Sequence, residues 1–141
     1  MPYDPMLTAP MRIELTQAGF RELRTPDEVD AAVSGTRGSL LIVVNSICGC
    51  AAGIARPGIV MSLSHPKAPA ARTTVFAGQD IEATARARSY FGGNPPSSPQ
   101  VAILEDGELR FLLQRHEIEG RTAAQVAARL AAAYEELPAL A

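Results

Sequence analysis

Cys48 and Cys50, two thiols separated by one glycine, are the residues of this chain best suited to do chemistry. They follow the apolar run Leu40-Leu41-Ile42-Val43-Val44 and precede a small-residue stretch that starts at Ala51. That order places the pair where a strand ends and a helix begins. Backbone N–H groups at a helix N-terminus are unpaired and partly positive, so a thiolate there is favoured over the thiol. The thiolate is the nucleophile of disulfide exchange, and the position therefore creates reactivity. Cys48 comes first and is expected to be the more exposed, attacking thiol. Cys50, inside the first helical turn, is the expected resolving thiol. Two cysteines flanking a glycine after an apolar strand do not read as a pair of small buried hydrophobes. His65 and His116 are the remaining soft metal donors, and neither lies at a spacing that completes a four-ligand zinc site. No metal is expected.

Two other features bear on the same site. Between Asp30 and Asp80 the chain carries no Asp or Glu, but it carries Arg37, Arg56, Lys67 and Arg72. The half of the molecule around the thiols is expected to be locally positive despite a net charge of -2. Such a field would lower a thiol pKa and attract an anionic thiol. Buried elements exclude carboxylates in any case, so the depletion also has a packing cause. The second feature is Ser98-Pro99, just before the apolar run Val101 to Leu104. A proline there can hold a cis bond and present backbone beside the thiols to a substrate segment.

The surrounding pattern supplies the elements that must position these residues. Leu40 to Val44 suits a central strand covered on both faces. Ala51 to Leu63 reads as a helix that Pro57 should kink. Pro10 to Phe20, closed by Gly19, and Thr25-Pro26-Asp27-Glu28 onward to Gly35 read as two earlier helices, the second with a capping box. His65 to Ala71 is loop and Thr73 to Ala77 a strand. Asp80 opens a helix with Ala83, Ala87, Tyr90 and Phe91 on one face. Val101 to Leu104 and Leu109 to Leu113 form a hairpin about Asp106-Gly107. Thr122 to Leu137 is the last helix. Strands alternating with helices predict an α/β fold with a central mixed sheet flanked by helices, in one domain over residues 1–141.

Composition bounds the rest. The chain has 141 residues, 47% of them hydrophobic and 20% charged, which suits a globular domain with a real core. Its charge gives no global basic field for nucleic acid or an anionic membrane. Two cysteines are too few for a secreted disulfide scaffold. The N-terminus lacks a signal-peptide pattern, and the uncharged stretch Gly38 to Ala55 is broken by Asn45, Ser46 and glycines, unlike a bilayer helix. A soluble cytoplasmic protein is expected.

On these residues the chain resembles the bacilliredoxins, thioredoxin-like proteins of bacteria that make bacillithiol. The resemblance is carried by Pro10-Met11-Arg12, Glu14-Leu15-Thr16 and Ala18-Gly19-Phe20. Its core is Val43-Val44-Asn45-Ser46 with Cys48-Gly49-Cys50-Ala51-Ala52-Gly53 and Ala55-Arg56-Pro57-Gly58. Val75 to Asp80, Pro95 to Pro99, Asp106 to Leu109 and Ile118 to Arg121 extend it almost end to end. The resemblance implies a thioredoxin-like fold. It also implies removal of bacillithiol from mixed disulfides on protein cysteines, with Cys48 attacking and Cys50 as its partner. Bacillithiol would be a co-substrate, with no tightly bound cofactor. The implied partners are bacillithiolated client proteins and a recycling reductase. Backbone amides from Gly49 to Ala51, with Arg56, are candidates to hold the anionic malate part of bacillithiol. Ser98 and Pro99 are candidates to hold the client segment. Some members of the family carry a further C-terminal cysteine, whereas this chain reads Leu140-Ala141 there.

The chain also departs from ordinary thioredoxins. Their Cys-x-x-Cys spacing is one residue longer, a tryptophan precedes the first cysteine, and a buried aspartate lies on the preceding strand. Here Ile47 and Ile42 stand at those two places. No carboxylate is placed to take a proton from Cys50. A disulfide across one residue would close a strained ring and make a poor general reductant, so thiol transfer or isomerisation fits better. The alternatives are a general disulfide isomerase or oxidant, and a redox-sensing adaptor whose cysteines act as a switch.

Overall fold

The computed structural model describes residues 2–138. Its centre is β2 (Ser39–Asn45), the continuous aliphatic run, in which every residue from Leu40 to Asn45 is buried. Around it a five-stranded sheet runs in the order β1 (Arg21–Glu22), β3 (Ala71–Phe76), β2, β4 (Gln100–Glu105), β5 (Glu108–Leu113). β1, β3 and β2 are parallel; β4 and β5 run antiparallel to their neighbours. This is the mixed sheet that the alternation of elements predicts.

The period-two geometry of β2 splits the core into two layers. Leu41 and Val43 face one side, with Ile59, Val126, Leu130 and Tyr134. Leu40, Ile42 and Val44 face the other, with Val29, Val33, Ala83, Ala87 and Phe91. The first layer is covered by α1 (Pro5–Thr16), α3 (Arg56–Ser62) and α6 (Ala123–Glu135). The second is covered by α2 (Pro26–Gly35) and α4 (Ile81–Arg88). Gly58 lies where α3 meets α6. A Cβ there would stand 2.8 Å from the Ala123 carbonyl oxygen and 2.9 Å from the Val126 side chain.

The first helix begins earlier than its apolar spacing suggests. Asp4 caps it through Met6 N–H and Pro5 fills the first turn, so α1 spans Pro5–Thr16 and has ended before Gly19. Thr25 caps α2 through Glu28 N–H, and the Glu28 carboxylate reaches back to Arg24 N–H. Two short elements lie outside the periodic pattern. β1 pairs with only two residues of β3, and Arg12 reaches its Glu22 at 3.2 Å. α5 (Arg115–Ile118) is a single turn fixed by a capping box between Gln114 and Glu117.

The expected kink at Pro57 takes a specific form. A π-helical turn, Ala51–Ala55, precedes α3, and Arg56 N–H bonds to Ala51 O, five residues back. Proline has no N–H to donate and its ring crowds the carbonyl four residues earlier. Widening the preceding turn accommodates both, as such bulges do.

Candidate active site

The last residues of β2 carry the cysteines on a braced support. The Asn45 amide donates to Met11 O at 3.1 Å, and its Oδ1 accepts from Ser46 N–H at 2.8 Å and Arg56 Nη1 at 3.0 Å. Arg56 Nη1 also donates to Ser46 O at 2.8 Å, and its Nε to Glu14 Oε2 at 2.6 Å. One guanidinium thus ties α1, the end of β2 and the start of α3 together. Arg56 is only 2% exposed. This departs from the expectation that Arg56 reaches out to an anionic thiol: its side chain is buried, with Nε and Nη1 engaged by Glu14, Asn45 and Ser46.

From Ser46 the chain turns directly into the helix. Cys48 N–H donates to Ser46 Oγ at 3.3 Å, and Cys48 O accepts from Ala51 and Ala52 N–H, both at 3.1 Å. The two cysteines are unbridged and partly exposed, with their sulfurs 2.8 Å apart. Gly49 is exposed over open space. Ala51 is fully buried, with its N–H on the Cys48 carbonyl.

The two thiols are unequal. Burial acts to raise the Cys48 pKa, but it is outweighed. Hydrogen bonds from Cys50, from the Ser46 hydroxyl and from Ala51 N–H, with the positive charge of Arg115, hold it below the ordinary thiol value. Cys50 is pushed up by burial, then by its hydrogen bond to Cys48 and the negative charge there. Glu119 adds to the rise and Arg115 opposes it. The arrangement therefore favours ionisation at Cys48 over ionisation at Cys50.

The Ser98–Pro99 peptide is cis, with Pro99 buried and Ser98 half-buried. The loop is held by Arg88, which donates to Ser97 O at 2.7 Å and Gln100 Oε1 at 3.0 Å. Gln114 accepts from Ser97 Oγ at 2.6 Å and donates to Pro95 O at 3.0 Å. Arg115 Nη1 donates to Ser98 O at 3.3 Å and its Nε to Glu119 Oε1 at 2.8 Å. A shallow cleft alongside this loop is lined by Asn94, Pro95, Ser97, Leu112, Gln114 and His116.

Arg115 is the charged group at the site that the sequence reading missed, and its positive charge acts to lower both thiols. Arg37 precedes β2, and Arg72 lies at the start of β3, paired with Leu41. Both are at the end of the strands opposite the cysteines. Lys67 is bonded to Glu135 O. The cation that acts on both sulfurs comes from the turn after β5. No sequence signal places it, since Gln114 is not a usual N-cap residue, although Glu117 Oε1 accepts from Gln114 N–H at 3.1 Å. His65 bonds Glu135 at 2.6 Å and accepts from Lys67 N–H, while His116 is exposed on α5.

The fold and the paired thiols at the strand–helix junction define a thioredoxin-fold thiol–disulfide oxidoreductase. Solved structures agree on the fold. A putative oxidoreductase with a thioredoxin fold matches with a TM-score of 0.65 at 15% identity, covering 85% of this chain and 96% of that one. Oxidised thioredoxin O2 from Arabidopsis thaliana matches with a TM-score of 0.56 at 16% identity, covering 84% and 96%. The chain belongs to the disulphide isomerase family, whose model matches residues 3–137, and among its relatives are the bacilliredoxins. A bacilliredoxin of Koribacter versatilis is 54% identical over 95% of this chain and 92% of its own length. One from Halalkalibacterium halodurans is 50% identical over 95% and 93%, and one from Cytophaga hutchinsonii 51% over 96% and 99%.

Proposed function

We propose that this oxidoreductase removes bacillithiol from mixed disulfides on client proteins, in the cytoplasm, with Cys48 as nucleophile and Cys50 as resolving thiol. The observation that carries the roles is the inequality of the two sulfurs: one is stabilised as thiolate, and the other sits 2.8 Å away with its pKa raised. The bacilliredoxin relatives support the choice of thiol.

The Cys48 thiolate attacks the bacillithiol sulfur of the mixed disulfide. A Cys48–bacillithiol disulfide bond forms, the bond to the client sulfur breaks, and the client thiolate leaves and takes a proton. The adduct is then cleared in one of two ways. A second bacillithiol thiolate attacks its own kind, releasing bacillithiol disulfide and restoring Cys48. Alternatively Cys50 loses its proton and attacks Cys48 Sγ, expelling bacillithiol and leaving a Cys48–Cys50 disulfide. A reductase that donates two electrons and two protons then restores the dithiol. The client segment lies along the Ser98–Pro99 backbone and the adjoining cleft, and the exposed Gly49 leaves room above the sulfurs for it.

The test is intact-mass analysis of wild type, Cys48→Ala and Cys50→Ala after mixing with a bacillithiol-modified protein. Cys50→Ala is expected to gain one bacillithiol as the client loses it, and Cys48→Ala to gain none. If no form takes up bacillithiol while the wild type still exchanges ordinary client disulfides, the protein is a general isomerase or oxidant instead.

A further inference from the structure

Arg56, buried against Glu14, Asn45 and Ser46, leaves open which group would recognise an acidic thiol at this site. Arg115 stands at the start of α5 against the Ser98 carbonyl, and its side chain is 42% exposed. Two of its nitrogens are anchored: Nη1 on Ser98 O at 3.3 Å and Nε on Glu119 at 2.8 Å. Its Nη2 has no protein partner among the described residues. A guanidinium held by one edge presents its remaining N–H groups in a fixed plane, and that geometry suits a carboxylate. The backbone it stands on is the carbonyl beside the cis proline, just before Gln100, the β4 partner of Val44, so the charge is held across from the end of β2 that leads into the thiols. Its field reaches both Cys48 and Cys50.

We propose that Arg115 forms a carboxylate-binding subsite for the small thiol joined to Cys48, with Glu119 as its movable internal counter-ion. A carboxylate arriving on the small thiol replaces or shares the Glu119 contact, so the empty site carries a nearly neutral pair and the occupied one a compensated anion. The preference is for mixed disulfides whose leaving or transferred group is acidic. This rests on the proposed thiol-transfer chemistry for its biological substrate, and the subsite itself requires only disulfide exchange at Cys48.

The test compares two small disulfides, the dianionic dithiobis-nitrobenzoate and the neutral dithiodipyridine. Each reacts with reduced protein as the Cys48 thiolate attacks, one S–S bond breaking and one forming as a coloured thiolate or thione departs. Comparing their rates within each protein cancels any change in Cys48 ionisation. In Arg115→Gln the anionic-to-neutral rate ratio is expected to fall about fivefold from wild type, the scale of one partly exposed charge pair. Arg115→Lys should keep most of the ratio, Glu119→Gln should raise it, and added salt should erode it in wild type. If Arg115→Gln slows both reagents in the same proportion, Arg115 only supports the loop and the subsite is refuted. A preserved charge preference without any bacillithiol transfer would instead overturn the proposed natural substrate and leave the subsite standing.

Discussion

At the scale of single residues, the chemistry depends on how few groups separate two identical thiols. Cys48 and Cys50 share nearly the same surroundings, and Arg115 acts on both. The difference comes first from their mutual hydrogen bond, which lowers Cys48 and raises Cys50, and then from Ser46 and Ala51, which favour the charged form of Cys48 only. Alkylation of Cys48 should therefore rise with pH and level off with an inflection below the ordinary thiol value, because the thiolate alone reacts. Removing the Ser46 hydroxyl removes a donor to the thiolate, so Ser46→Ala should move that inflection upward. The measurement is the iodoacetamide rate against pH, with the modified site identified by mass. An unmoved inflection would assign Ser46 to backbone support alone, through Cys48 N–H.

At the scale of elements, the strand–helix junction is held by a side chain that looks like a substrate ligand in the sequence. Arg56 follows the cysteines closely and is a cation beside a thiol motif, and both facts suggested contact with an anion. What spacing does not reveal is direction. The π-helical turn rotates Arg56 inward onto Asn45, Ser46 and Glu14. Arg56→Ala should accordingly destabilise the fold by about 2–4 kcal/mol, since it strands polar groups at a buried site. Urea unfolding measures this. Full stability with a selective loss toward acidic thiols would return Arg56 to the binding role. The long elements were legible because each carries its own signal: the aliphatic run of β2, the Asp106-Gly107 turn between β4 and β5, and the Thr25 and Thr122 caps. β1 and α5 were not, because two residues or a single turn are too short to show a period. They are held by tertiary bonds, such as Leu23 N–H to Thr74 O and Arg115 N–H to Ser97 Oγ. The candidate site was half legible for the same reason: the thiols and Ser98-Pro99 announce themselves, and Arg115 arrives on an element that does not.

At the scale of the whole molecule, the site stands at the C-terminal end of β2, the strand gripped by neighbours on both edges and by helices on both faces. Motion of the thiols relative to the sheet must therefore pass through α1 or α3, since α1 supplies Met11 O and Glu14 to the brace. α3 in turn is pinned by its close approach to α6 at Gly58. Gly58→Ala should cost about 1–3 kcal/mol, because the added methyl meets a backbone carbonyl that cannot rotate away. Its thermal or urea midpoint should fall while a substitution at Gly53, where nothing stands within 4 Å, disturbs no packing contact. Equal effects at the two glycines would show that helix propensity, and not the α3–α6 contact, sets the cost.

The π-helical turn has a last consequence, in the phasing of the chain. The Cys-Gly-Cys pair is one residue shorter than a Cys-x-x-Cys pair, and the turn that follows holds one residue more than an α-helical turn would. The wider turn sets the phase between the thiols and α3. One residue added or removed between Ala51 and Arg56 would turn Arg56 away from Asn45, Ser46 and Glu14, and the end of β2 would lose the brace that carries the cysteines.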